Sequence, residues 1–122
     1  MLKRISFFLA IGYTITLAVV SLMNLKDMPE VEVRFADKIF HFLAYSILCV
    51  LWYLVCRYRL VQSSKKAITN AILFAIAFGI IIEVLQGTTT SYRSFDIYDA
   101  IANSLGAMLA GVVLIIKDKI AS

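Results

Sequence analysis

Six strongly polar side chains fall within the stretch EVLQGTTTSYRSFDIYDAIANSLG, residues 83–106: Glu83, Gln86, Arg93, Asp96, Asp99 and Asn103. An earlier stretch, DKIFHFLAYSIL, adds Asp37, Lys38, Tyr45 and the only histidine of the chain, His41. A histidine titrates near neutral pH, so His41 beside Glu83 or Asp99 is an acid/base pair in waiting. The planar fork of Arg93 suits bidentate binding of a carboxylate or phosphate, either Asp96 or Glu83 or a ligand. One histidine with several carboxylates is also the raw material of a divalent-metal site. No HExxH, HxH or Cys/His spacing supports that use, however, and the expectation is a site with no metal and no cofactor.

These groups stand between apolar segments that must position them. The chain has 122 residues, 61% of them hydrophobic and 16% charged, too greasy for a soluble domain of that length. Its long apolar runs lack the charged stripe that a soluble amphipathic helix carries every three or four residues. The expected class is therefore all-α, a single domain over residues 1–122 with four membrane spans at about 5–23, 39–56, 67–86 and 97–116. The first apolar run is longer than a signal-peptide core, and VVSLMN is a poor cleavage site, so it reads as an uncleaved span. Residues 24–36, with the only proline, Pro29, read as a connection, and the second helix is expected to open at Asp37, whose charge complements a helix N-terminus.

The net charge of +4 belongs to loops and termini. Lys3 and Arg4, the connection RYRLVQSSKK, and Lys117 with Lys119 all fall on one side of a four-span topology. The positive-inside rule then places both termini in the cytoplasm and residues 24–36 and 87–95 outside. No basic stripe with interleaved aromatics points to nucleic acid. Cys49 and Cys56 lie seven residues apart, about 10 Å along one helix, too far to bridge, and read as packing residues.

Helical periodicity gathers the polar groups onto stripes. Asp37, His41 and Tyr45 follow at i, i+4 and i+8; Gly79, Glu83 and Gln86 share a second face; Asp96, Asp99, Asn103, Gly106 and Ala110 share a third. Antiparallel spans bring all three to the same end of the bundle. Membrane helices turn such stripes inward, because a carboxylate facing lipid is costly. The expectation is one polar site at the outer face, covered by the connection that carries Arg93. Lys38 points about 100° from Asp37 and is expected to reach lipid headgroups. Trp52, Tyr53 and Tyr58 read as interfacial anchors, and the small residues Gly106, Ala107, Ala110 and Gly111 as a surface for close helix approach.

With these residues in place, the chain resembles the VanZ-like family. An Asp-Lys pair followed by His and an aromatic is carried by Asp37, Lys38, His41, Phe42 and Tyr45. A second block is carried by Glu83, Gln86, Arg93, Asp96, Asp99, Asn103, Gly106 and Gly111, and the likeness is clearest from Asp37 to Gly111. The resemblance implies a small multi-pass protein of the bacterial inner (cytoplasmic) membrane with a role at the cell envelope. The family takes its name from an accessory protein of teicoplanin-type glycopeptide resistance. Three classes of function follow. The leading one is a module that binds or modulates an anionic envelope molecule: a peptidoglycan precursor, a lipid headgroup or a glycopeptide. The second is a membrane enzyme on a lipid-linked substrate, with Glu83 or Asp99 as base and His41 as acid or base. The third is a packing module whose polar network sets helix register.

Overall fold

In a backbone surrounded by lipid every N–H and C=O must find its partner inside the segment, which makes long apolar runs helical. The computed structural model describes residues 2–22, 30–89 and 97–121, and they form four helices: α1 Leu2–Ser21, α2 Glu30–Leu54, α3 Ser64–Thr89 and α4 Ile97–Ala121. Four stretches are long and apolar enough to cross a membrane, Lys3–Ser21, Lys38–Arg59, which runs from α2 into the turn that follows it, Ser64–Thr88 and Ile97–Ala121. No strand occurs among the described residues.

Two boundaries differ from expectation. Helix α2 begins at Glu30, directly after Pro29, rather than at Asp37. Residues 30–36 contain neither glycine nor proline, so nothing in the backbone breaks the helix between Pro29 and Asp37. Asp37 therefore stands well inside the helix instead of capping it. At its other end α2 widens into a π-helical turn over Val55–Arg59, closed by Leu60 N–H donating to the Val55 carbonyl at 3.0 Å.

The turn to α3 is fastened by side chains. The Arg57 guanidinium donates to the Gln62 carbonyl at 3.2 Å, and Asn70 Nδ2 donates to Gln62 Oε1 at 3.0 Å. Within it Val61 adopts φ 54°, a left-handed conformation that a β-branched residue rarely takes. Val61 is 73% exposed, so little packing is lost on replacing it. Val61→Asn, which tolerates that backbone, is expected to stabilise the protein by about 1 kcal/mol. Reversible unfolding in mixed micelles would measure this, and an unchanged midpoint would refute the strain.

The helices run antiparallel, as contacts at both ends establish. At one end Arg59 lies over the Phe7 ring at 4.3 Å, and Lys65 of α3 shares a cavity of about 490 Å³ with Asp118 and Lys119 of α4. At the other end Gln86 Nε2 of α3 donates to the Ser21 carbonyl of α1 at 2.6 Å, and Lys38 of α2 meets Asp99 of α4 at 3.0 Å. The core between them combines Tyr45, Leu48 and Cys49 with the alanines Ala67, Ala71, Ala75, Ala107 and Ala110. Leucine, isoleucine and valine side chains such as Leu9, Ile47, Ile81 and Val112 project outward, the reverse of a soluble protein.

The closest approach is between α2 and α4. A Cβ added to Gly106 would overlap the Phe42 carbonyl oxygen. Beside it the Ser46 hydroxyl is shared between the Phe42 and Gly106 carbonyls, each at 2.9 Å. Such contact between small residues replaces the hydrophobic drive that is absent in lipid.

Helix α1 is held by polar ties. The Tyr13 hydroxyl donates to the Ala44 carbonyl at 2.6 Å, and Trp52 Nε1–H donates to Thr14 Oγ1 at 2.9 Å. Trp52 also packs on Phe74 with ring centroids 4.8 Å apart, and Tyr53 is buried. Of the three expected interfacial anchors, only Tyr58 keeps substantial exposure; the other two serve the interior. Cys49 and Cys56 are free thiols, both buried.

Candidate functional site

Lys38, His41 and Tyr45 occupy successive turns of α2, Glu83 and Gln86 lie in the last turns of α3, and Asp99 and Asn103 in the first turns of α4. The expected convergence at one end of the bundle is what the structure contains. His41, Tyr45, Glu83, Gln86, Asp99 and Asn103 are all buried.

The centre of the cluster is His41. Its Nδ1 lies 2.7 Å from Asn103 Oδ1. An amide oxygen can only accept, so Nδ1 carries the proton, and in the neutral ring Nε2 holds the lone pair. Nε2 faces Asp99 Oδ2 at 3.8 Å. The other oxygen of Asp99, Oδ1, receives Lys38 Nζ at 3.0 Å. Asp99 thus divides its two oxygens between an ammonium and an imidazole. Its place in the first turn of α4 adds the favourable field of a helix N-terminus.

Glu83 enters from α3. One carboxylate oxygen of Glu83, one of Asp99 and one ring nitrogen of His41 all lie within 4.8 Å of one another. Two full negative charges at that spacing repel by about 3 kcal/mol at an effective dielectric of about 20. Lys38 offsets part of this from the rim, where its side chain is 31% exposed against 5% for Asp99.

Tyr45 and Asn103 complete the wall. The Tyr45 ring lies parallel to His41 with centroids 6.1 Å apart, and it is within electrostatic reach of Glu83. The Tyr45 hydroxyl and Asn103 Nδ2 are buried without a hydrogen-bond partner among the described residues. Both stand close to Gly79, where an added Cβ would meet Asn103 Nδ2 at 2.9 Å and Tyr45 Cε2 at 3.1 Å. A larger residue at position 79 would push the amide and the phenol away from α3.

The remaining expected residues differ in what they are seen to touch. The Gln86 amide reaches the Ser21 carbonyl, satisfying an end carbonyl of α1, and so serves helix anchoring. Lys38 does more than reach for headgroups: it stands at i−3 from His41, close to the same face, and its long stem brings the ammonium back to Asp99. That spacing was available in the sequence as a signal. The backbone at Asp37 lies one turn before His41 on α2, but its side chain, like Arg93 and Asp96, falls outside the described residues. The metal-free expectation rested on local spacing, whereas the fold draws one histidine and two carboxylates together from three separate helices.

A family profile described as VanZ/LLP1 matches residues 3–118. An uncharacterized protein of the fission yeast Schizosaccharomyces pombe is 31% identical over 91 residues, which cover 75% of this chain and 54% of the yeast protein. The chain therefore spans about half the length of that relative. No solved structure matches.

Proposed function

Because the chain belongs to the VanZ/LLP1 family, we propose that it is a multi-pass membrane protein whose polar cluster binds or modulates an anionic envelope molecule. The observation that carries this reading is the Lys38–Asp99 pair at 3.0 Å, with the ammonium at an exposed rim and the carboxylate below it. A phosphate or carboxylate arriving from the surface meets Lys38 first and competes with Asp99 for it. Arg93, in the adjoining connection, supplies the bidentate fork such a group prefers. Among peptidoglycan precursor, lipid headgroup and glycopeptide, a fungal relative favours the lipid phosphate, the one chemistry common to every membrane.

The site faces outward in this reading. Lys3, Arg4, Arg57, Arg59, Lys65, Lys66, Lys117 and Lys119 belong to the end of the bundle opposite the cluster, which the positive-inside rule assigns to the cytoplasm. The setting is a bacterial inner membrane, and a contribution to teicoplanin-type resistance is the physiological form the activity takes. Lys38→Ala and Arg93→Ala are each expected to weaken binding of phosphatidylglycerol in nanodiscs about fivefold, the roughly 1 kcal/mol that one charged contact supplies. Both folded variants binding like the parent would sink the assignment.

A second reading, a membrane enzyme acting on a lipid-linked substrate, draws on the convergence of His41, Glu83 and Asp99 within 4.8 Å. Turnover of a lipid-linked envelope substrate, lost in a folded His41→Gln variant, would establish it. Absence of turnover by the parent chain across such substrates would remove it.

A further inference from the structure

We propose that His41, Glu83 and Asp99 bind a divalent first-row transition ion, Zn²⁺ or Mn²⁺, within the helix bundle. Each residue comes from a different helix, each is buried, and their potential ligand atoms lie within 4.8 Å of one another. Bonds of about 2.0–2.2 Å in a tetrahedral site place ligand atoms about 3.3–3.6 Å apart. His41 Nε2 and Asp99 Oδ2, at 3.8 Å, are already near that spacing. A Glu83 carboxylate oxygen, within 4.8 Å of both, supplies the third side.

The surroundings carry the inference beyond a cluster of acidic groups. A metal-bound histidine holds its other ring nitrogen on an oxygen acceptor, which sets the tautomer and aims the lone pair. Asn103 Oδ1 does this for His41 at 2.7 Å. Metal-bound carboxylates are likewise held by a second partner. Lys38 holds Asp99 by Oδ1 and leaves Oδ2 directed toward His41. Two carboxylate oxygens and an imidazole nitrogen form a donor set for a divalent ion, and the nitrogen donor favours Zn²⁺ or Mn²⁺ over Mg²⁺.

One further atom points to a ligand. The Tyr45 hydroxyl, buried on a ring that lies parallel to His41 and within electrostatic reach of Glu83, has no hydrogen-bond partner among the described residues. It can donate to an oxygen. Three protein ligands leave a coordination position open, and a water or substrate oxygen there would give this donor an acceptor. The inference does not depend on the headgroup reading, since the ion is held below Lys38 by buried side chains whatever arrives at the rim.

The test uses the full chain without an affinity tag, stripped with chelator in detergent and equilibrated with Zn²⁺, Mn²⁺ or Mg²⁺. One Zn²⁺ or Mn²⁺ per chain is expected, with little Mg²⁺. Glu83→Gln and Asp99→Asn should weaken uptake by more than the roughly 10- to 100-fold that losing an outer partner costs. Metal uptake by the parent chain in lipid-free detergent and phosphatidylglycerol binding by the chelator-stripped parent chain are read separately, so failure of one with the other intact separates this proposal from the previous one. Because His41 is the only histidine, pulsed EPR of the Mn²⁺ form, or of a Cu²⁺ substitute if only Zn²⁺ is retained, should report coupling to a single imidazole nitrogen. That readout on the parent chain decides the matter if the variants fail to fold. No uptake, equal uptake of Mg²⁺, uptake unchanged in the folded carboxylate variants, or an absent nitrogen signal would overturn the proposal.

Discussion

Replacing Gly106 by alanine is expected to destabilise the bundle by about 2–3 kcal/mol, the upper part of the range for overpacking. The added methyl group would lie against the Phe42 carbonyl oxygen, which is backbone and cannot swing aside. The helices must instead part along much of their contact. Separation lengthens the hydrogen bond from the Ser46 hydroxyl to the Gly106 carbonyl, 2.9 Å, which joins α2 and α4 at the same level. It also withdraws Asn103 from His41 and Asp99 from Lys38, since both pairs span the same two helices at 2.7 and 3.0 Å. Valine, with two more methyl groups, should prevent a monodisperse bundle from forming. Unfolding by a graded rise of denaturing detergent, followed by circular dichroism, measures the alanine variant. A change below about 0.5 kcal/mol, the usual range for substitutions that touch nothing critical, would show that the backbones do not meet there.

The second large effect is expected at Asn103. Asn103→Leu keeps nearly the same volume but removes the acceptor for His41 Nδ1, leaving a buried donor on a buried ring. An unsatisfied buried donor costs about 1–3 kcal/mol, and the loss should lie near 2 because the unpartnered Asn103 Nδ2 disappears with it. The ring is then free to change tautomer. Asn103→Asp separates the two consequences: it retains an oxygen acceptor at the same place and replaces the unpartnered Nδ2 with a second oxygen. It should hold His41 as a cation, and nitrogen-15 chemical shifts of the ring would report this. Equal stability of the leucine variant and the parent would mean that the 2.7 Å contact does not hold the imidazole.

The membrane class and the four spans were legible because lipid imposes a simple rule: about 20 apolar residues, with their backbone hydrogen bonds closed within the helix. The start of α2 was less legible. Residues 30–36 carry charges that look like a loop, yet helix propensity concerns the backbone, and no glycine or proline interrupts it after Pro29. The π turn at Val55–Arg59 and the left-handed Val61 left no readable mark, since nothing in VCRYRLVQ distinguishes an i to i+5 hydrogen bond from an ordinary helix end.

The membership of the polar cluster was largely legible for a similar reason. A period of 3.6 residues places His41 with Tyr45, Glu83 with Gly79, and Asp99 with Asn103, and the cost of exposing carboxylates to lipid turns those faces inward. Gln86 fitted the same pattern, and its bond to the Ser21 carbonyl of α1 was not foreseen, because periodicity gives an angle around one helix and not the partner at that angle.

By itself, then, the sequence determined a four-helix membrane bundle and brought His41, Glu83, Asp99 and Asn103 to one end of it. Only the tertiary structure decided who holds whom: Asn103 on His41, Lys38 on Asp99, and Glu83 within 4.8 Å of both His41 and Asp99. These pairings depend on the rotation and depth of α2 and α4 relative to each other. The contact of Gly106 with the Phe42 carbonyl sets both, and a glycine, having no side chain, announces the possibility of close approach but not the backbone atom it will meet.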